Sequence, residues 1–179
     1  MEKKILFIDL DGTLLTDTKE ITPENLNAIQ RATELGHAVV VTTGRPLYST
    51  LRQVEKLSLT KPGCYAIALI YNSNTKEIIF QTGVPRACLR EAFDEAFQAG
   101  IHPQTYSSTG VLCEKDCPEM QYYAKSNVIN YEVVEDVSKA LDFDPIKILF
   151  VDLHDRSNLE RFRAHMEDFS KRYHLDMFF

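Results

Sequence analysis

Ile5-Leu6-Phe7-Ile8-Asp9-Leu10-Asp11-Gly12-Thr13-Leu14-Leu15 decides how the rest of the chain is read. Four bulky apolar residues run into two carboxylates spaced i, i+2, and a glycine follows. Such an uninterrupted apolar run reads as a strand buried on both faces, the pattern of a parallel sheet with helices above and below. In open sheets of that kind ligands bind beyond the carboxyl ends of the strands. Asp9 and Asp11 stand where this strand becomes loop, and strand alternation would set both side chains on one side.

Two carboxylates with no basic residue between them repel each other and call for a cation. Oxygen-only ligation suits Mg²⁺, which commonly takes one or two carboxylates and fills its other positions with water and substrate phosphate. An aspartate can also act as a nucleophile, forming an acyl phosphate that splits one hard displacement into two easier ones. The same Asp-Leu-Asp-Gly string also occurs in ordinary strand-to-turn junctions with no chemistry attached, so the string alone leaves both readings open.

Downstream, Thr22 and Pro23 form a helix start, with a capping hydroxyl followed by proline in the first turn. Leu26, Ile29, Ala32, Thr33 and Leu35 give a helical stripe that Gly36 closes, and His37 begins a second buried strand that runs through Val41. Together these make a β-α-β unit. Thr42 and Thr43 end the second strand, on the same rim as the aspartates if the two strands are parallel. A hydroxyl there can hold a phosphoryl oxygen without adding charge, or simply cap the next helix. Arg45 can contact a phosphate or brace the loop. Residues 48–57 read as a helix, Pro62-Gly63 as a turn, residues 65–71 as a third apolar strand, and residues 77–80 as its hairpin return.

The character of the chain changes near Gly83. Ala87, Leu89, Ala92, Phe93, Ala96 and Phe97 repeat at helical spacing up to Gly100. Short strands around residues 104–106 and 111–113, a helix over 121–126, a strand over 146–151 and a final helix around Leu159, Phe162 and Met166 complete the pattern. The chain therefore divides into residues 1–82 and residues 83–179. The fold class is α/β: a Rossmann-like, mainly parallel sheet followed by a smaller α+β domain. His102, His154 and His165 are scattered over the second part and read as surface residues. Asp152-Leu153-His154-Asp155 could suggest a metal site.

Composition excludes several function classes. The 179 residues are 44% hydrophobic and 26% charged, with a formal net charge of −6. Lysines and arginines are dispersed, so the continuous basic surface needed for nucleic acid is not there. The first apolar run is too short for a signal or a membrane span, so no membrane partner is expected. Cys64, Cys88, Cys113 and Cys117 form no zinc pattern and read as free thiols of a cytoplasmic protein.

The residues Asp9-Leu10-Asp11-Gly12-Thr13-Leu14, placed after a hydrophobic strand near the N-terminus, resemble the first motif of the haloacid-dehalogenase-like phosphatases. Thr42-Thr43-Gly44-Arg45-Pro46 resembles the second motif of the Cof-type sugar-phosphatase branch, whose members carry a large inserted cap. The resemblance implies a Mg²⁺-dependent phosphatase with Asp9 as nucleophile and Asp11 as acid and base, both close to the metal. It makes Thr43, Gly44 and Arg45 the phosphate-binding segment and a small phosphorylated molecule, a sugar phosphate above all, the substrate. Residues 83–179 would be the cap that excludes water and selects the substrate. At Asp152-Leu153-His154-Asp155 the resemblance implies, instead of a metal site, a strand end running into a helix start.

The chain also departs from that pattern. The third strand lacks the family's Ser/Asn-Asn-Gly-Ala stretch, for which Asn72 and Asn74 are the available stand-ins. Neither the balancing lysine nor the Gly-Asp-x-x-Asn-Asp-like segment follows the cap, and no glycine occurs after Gly110. These gaps lead to the expectation of a C-terminally truncated member, an incomplete core, impaired activity and weak metal binding. Without its usual neighbour the first strand would form an exposed apolar edge that pairs with a second copy, making a homo-oligomer. The alternative function is a non-catalytic remnant acting as an interaction module.

Overall fold

The computed structural model describes residues 2–54, 57, 64–66 and 69–178, which fall into two compact units, residues 1–82 and 83–179. In the first unit the described strands are β1 (Ile5–Asp9), β2 (Ala38–Thr43), β3 (Cys64–Ala66), β4 (Leu69–Asn72) and β5 (Glu77–Gln81), in spatial order β1-β2-β3-β4-β5. β1, β2 and β3 are parallel; β4 and β5 return antiparallel. The sheet is thus mixed, an α/β Rossmann-like core with an antiparallel border.

Helix α1 (Pro23–Glu34) crosses between β1 and β2. Its start is fixed by Thr22, whose Oγ1 accepts a hydrogen bond from the Asn25 amide at 3.2 Å, and by Pro23 in the first turn. It ends where Gly36 takes a φ of +85°, a conformation glycine adopts without steric cost. Ile29 packs with Leu10, Leu14, Leu15, Val39 and Val41 into one buried cluster. Helix α2 (Leu47–Val54) packs against β3.

That placement corrects the reading of the first strand. The apolar run by itself reads as buried on both faces; β1 instead lies at the edge of the described sheet, the exposed apolar edge expected from the missing neighbour, with Ile5 63% and Phe7 67% exposed. Helix α1 covers the face that carries Leu6 and Ile8, whereas α2 sits over β3 and leaves Ile5 and Phe7 uncovered. The single third strand expected over 65–71 is also two: β3 and β4 pair with each other as a hairpin, Cys64 opposite Tyr71. The middle of that expected strand, the turn at Pro62-Gly63 and the end of the helix expected over 48–57, except Leu57, lie outside the described residues.

The second unit has a four-stranded described sheet in the order β8-β7-β6-β9, made of β6 (His102–Tyr106), β7 (Val111–Cys113), β8 (Tyr131–Val133) and β9 (Ile148–Val151). β6 pairs antiparallel with both β7 and β9, while β7 and β8 are parallel. Helices α3 (Leu89–Gln98), α4 (Pro118–Asn127), α5 (Val137–Ala140), α6 (Arg156–His165) and α7 (Glu167–Tyr173) complete an α+β unit. Phe93 is fully buried against Leu89, Leu112, Val137 and Leu141, and Phe150 meets Phe162 edge-on with ring centres 5.0 Å apart.

Asp152 Oδ1 accepts the amides of His154 and Asp155, and Asp155 caps α6 by accepting from the Ser157 amide, so this acidic string is a capped turn. His154 and His165 are exposed, but His102 is not. Its ring is buried, with Nδ1 3.1 Å from Cys117 Sγ, because β6 is the central strand with helices α3 and α4 packed against it. Burial there pushes the imidazole below its ordinary pKa. Among the described residues no helix is long and apolar enough to cross a membrane.

Candidate active site

The parallel pairing of β1 with β2 sets the ends of both strands side by side. The register places Asp9 abreast of Thr42, with Thr43 one residue further along. Leu10, between the two aspartates, is fully buried in the core, while Asp9 and Asp11 on either side of it are exposed. A buried residue flanked by two exposed ones turns both carboxylates to the solvent rim, as the i, i+2 spacing predicts.

The loop that leaves β1 is tied down locally. Gly12 takes a φ of +74°, and the Leu14 and Leu15 amides donate back to the Leu10 carbonyl at 3.1 and 2.8 Å. Leu14 and Leu15 then anchor the loop in the core. From Leu15 the chain makes a small hairpin: Leu15 bridges Ile21, the Thr16 amide donates to the Glu20 carbonyl at 2.9 Å, and the Lys19 amide donates to the Thr16 carbonyl at 2.9 Å. This hairpin brings Lys19 back over the end of β1.

Asp11 is where these segments meet. Arg45 grips its carboxylate as a fork, Nε to Oδ2 and one terminal nitrogen to Oδ1, both at 2.7 Å. Lys19 Nζ donates to the same Oδ1 at 2.8 Å. The Arg45 bonds, the largest influence, together with the Lys19 bond hold the Asp11 carboxyl far below the usual carboxylate range, against an upward push from partial burial that exceeds the Lys19 bond alone. Asp11 keeps 41% of its side chain exposed, so water screens both pairings.

Thr43 is buried, and its Oγ1 accepts the Arg45 amide at 3.2 Å, which fixes the turn into α2. Gly44 is exposed between them. Thr43, Gly44 and Arg45 are therefore one turn, held to β2 by the threonine and to β1 by the arginine. Of the two roles left open for Arg45, bracing the loop is the one visible here. Asn72, considered as a stand-in on the third strand, accepts the amides of Asn74 and Thr75 and so caps the β4–β5 turn.

Lys19 is the residue that sequence reasoning missed. Residues 17–20 read only as polar loop, and the one available signal was a basic residue between Leu15 and Ile21, a single hairpin's reach past the carboxylates.

Among the described residues no group of three or more His, Cys, Asp or Glu side chains converges as a metal site. The donor chemistry nonetheless fits magnesium, which asks of a protein only one or two hard oxygen ligands beside water and substrate phosphate. No ion pair to the Asp9 carboxylate forms among the described residues, which leaves its oxygens for a cation. Both oxygens of Asp11 are already engaged by Arg45 and Lys19.

Comparison with known proteins agrees with this geometry. A family model described as haloacid dehalogenase-like hydrolase matches residues 6–177. A haloacid dehalogenase-like hydrolase from Bacteroides thetaiotaomicron superposes with a TM-score of 0.84 at 22% identity, over 96% of this chain and 66% of that one. TM0651 from Thermotoga maritima gives 0.75 at 26% identity, over 97% and 63%. Among curated relatives, YxeH of Bacillus subtilis is 27% identical over 157 residues, 83% of this chain and 57% of that protein. Pyridoxal phosphate phosphatase YbhA of Escherichia coli is 26% identical over 115 residues, 64% of this chain and 42% of that protein. The chain spans about half the length of the curated relatives it matches.

The expectation of a C-terminally truncated member is corrected by these matches. The family match reaches residue 177, and the solved structures superpose over 90–98% of the chain. The last helices are folded into the second unit, with Phe162, Met166 and Phe169 in its core. Impaired activity, expected from the same gaps, is not shown by these matches.

Proposed function

Because the chain belongs to the haloacid dehalogenase-like hydrolase family, we propose that residues 1–82 carry the phosphoryl-transfer site of a Mg²⁺-dependent phosphatase for small phosphorylated metabolites, sugar phosphates among them. The observation that carries this reading is the meeting of β1 and β2 at Asp11, where the Asp9-Leu10-Asp11 string and the Thr43-Gly44-Arg45 turn are joined by two bonds of 2.7 Å. Relatives named as phosphatases of pyridoxal phosphate and of 5-amino-6-(5-phospho-D-ribitylamino)uracil support the substrate class.

In this reading an Asp9 carboxylate oxygen attacks phosphorus, the ester P–O bond breaks, and the leaving alkoxide takes a proton from Asp11. That role requires the Arg45 and Lys19 bonds that hold Asp11 as a carboxylate to open first. Asp11, now a carboxylate, removes a proton from water. The resulting hydroxide attacks phosphorus, releasing phosphate and freeing Asp9. Thr43, Gly44 and Arg45 position the phosphoryl oxygens. Asp9 would hold Mg²⁺, joined by Asp11 once its oxygens leave Arg45 and Lys19, and the ion would supply neutralising charge for those oxygens.

Residues 83–179 are the substrate-selecting cap. The chain works in the cytoplasm, consistent with the free thiols of Cys88, Cys113 and Cys117, two of which burial holds up at about 11 (Cys88 and Cys113). The exposed Ile5 and Phe7 on β1 support pairing with a second copy along that edge.

The test is hydrolysis of p-nitrophenyl phosphate in the presence of magnesium. Turnover is expected in the unmodified chain, and none after chelation or in Asp9→Asn. Turnover that survives Asp9→Asn, at any metal concentration, overturns the assignment.

A further inference from the structure

Among the described residues, the charged groups at the rim include two carboxylates, Asp9 and Asp11, and two cations, Arg45 and Lys19. Both cations rest on one carboxylate. They are not held alike. Arg45 is 18% exposed and makes two parallel bonds through a rigid fork, whereas Lys19 is 51% exposed and makes one bond through a flexible stem. The lysine is the cation that can leave at small cost.

Its backbone is also unusual. Lys19 has a φ of +62°, a left-handed conformation that glycine or asparagine takes more readily. Val128 and His174 share that conformation as helix C-caps, and Lys76 in the turn between β4 and β5. At all of these the turn explains the backbone. At Lys19 the side chain additionally ends on the candidate acid of the site.

We propose that Lys19 is a substrate contact: its ammonium exchanges the Asp11 carboxylate for the incoming phosphoryl group. The inference rests on the phosphatase reading above and assigns a phosphate-binding role to the hairpin that follows β1. An anionic phosphoryl group brings more negative charge than the single oxygen Lys19 now contacts, so the exchange is downhill. A neutral ligand offers the ammonium nothing in return.

The test compares the unmodified chain with Lys19→Asn, which suits the left-handed turn but has no charge, and with Lys19→Arg. Inorganic phosphate binding is measured by calorimetry and p-nitrophenyl phosphate turnover by steady-state kinetics, both with magnesium. Lys19→Asn is expected to weaken phosphate binding and raise KM about tenfold, the worth of one charge-assisted contact, with kcat within about twofold. Lys19→Arg is expected to restore both to within about threefold. Lys19→Gly, which also fits the turn, repeats the test if the asparagine variant melts early. Phosphate affinity and KM unchanged in Lys19→Asn overturn the proposal, as does an unmodified chain that binds no phosphate. Asp9→Asn separates the two levels. Turnover that depends on Asp9 but ignores Lys19 rejects this inference and keeps the phosphatase reading.

Discussion

Breaking the Arg45–Asp11 fork should cost about 1 kcal/mol of pairwise coupling, and the figure can be worked from the site. Opposite charges with centres roughly 4 Å apart attract by about 1 kcal/mol in water and about 4 kcal/mol at an effective dielectric of 20. Arg45, 18% exposed, belongs toward the second figure, and Asp11, 41% exposed, toward the first. Lys19 lies 2.8 Å from the same carboxylate and already satisfies part of its charge, which trims the Arg45 share further. Exposed pairs measured by double-mutant cycles give roughly 0.2–1 kcal/mol, and a forked geometry puts this pair at the top of that range. The assay is such a cycle, with Arg45→Met, Asp11→Asn and the double variant unfolded in urea. Circular dichroism follows the transition, and hydrogen exchange assigns it to residues 1–82. Methionine keeps the apolar stem, so the difference reports the charge. The coupling should shrink toward zero in about 1 M salt, where the screening length is near 3 Å. Single variants whose effects simply add, within about 0.3 kcal/mol at low salt, would refute the reasoning.

Other outcomes follow from the second unit and from the edge of the first. Asp136 caps α5 by accepting the Ser138 amide at 3.0 Å, and Asp136→Ala should destabilise the chain by about 1 kcal/mol at neutral pH. The Ser138 bonds and then Lys139 depress the Asp136 carboxyl to about 2. A depressed folded-state value stabilises above the unfolded pKa near 3.8 and loses that stabilisation as pH falls through about 2. The gap between Asp136→Ala and the unmodified chain should therefore close over that window, and an undiminished gap at pH 2 would contradict the assignment. Phe93 is fully buried, and Phe93→Ala should cost about 3–5 kcal/mol in urea or thermal unfolding. Light scattering on the unmodified chain should report a dimer or larger species, and Phe7→Lys on the β1 edge should shift it to monomer. A concentration-independent monomer in the unmodified chain removes the edge-pairing idea.

The fold was legible where local pattern and tertiary placement agree. Thr22-Pro23 and Gly36 mark α1 because a cap, a proline and a left-handed glycine act within a few residues of each other. The parallel pairing of β1 and β2 follows from the helix between them, and with it the common rim for Asp9 and Thr42. Burial was less legible. Ile5 and Phe7 carry the same side chains they would carry in a central strand, and only the position of α2 over β3 leaves them bare. The hairpin of β3 and β4 was hidden for the opposite reason, since two short apolar strands in sequence look like one long strand. His102 was misread because an isolated histidine gives no periodic signal, whereas its burial comes from the central place of β6.

The site divides along the same line. Asp9, Asp11 and the Thr43-Gly44-Arg45 turn are each contiguous in sequence, so their chemistry can be read there. The bond between them spans 34 positions, and which carboxylate Arg45 takes depends on the register of two strands. Lys19 is only eight positions from Asp11, yet it was harder to find, because it reaches the carboxylate through a hairpin built from backbone bonds rather than from a motif. Turn chemistry at Thr16 and the left-handed step at Lys19 decide where that ammonium goes. The charge balance of the rim is thus set by two loops, one leaving β1 and one leaving β2. A single carboxylate reports on both. A change in either loop that withdraws its cation alters the charge the other must balance, so the two segments act as one electrostatic unit although no sequence pattern joins them.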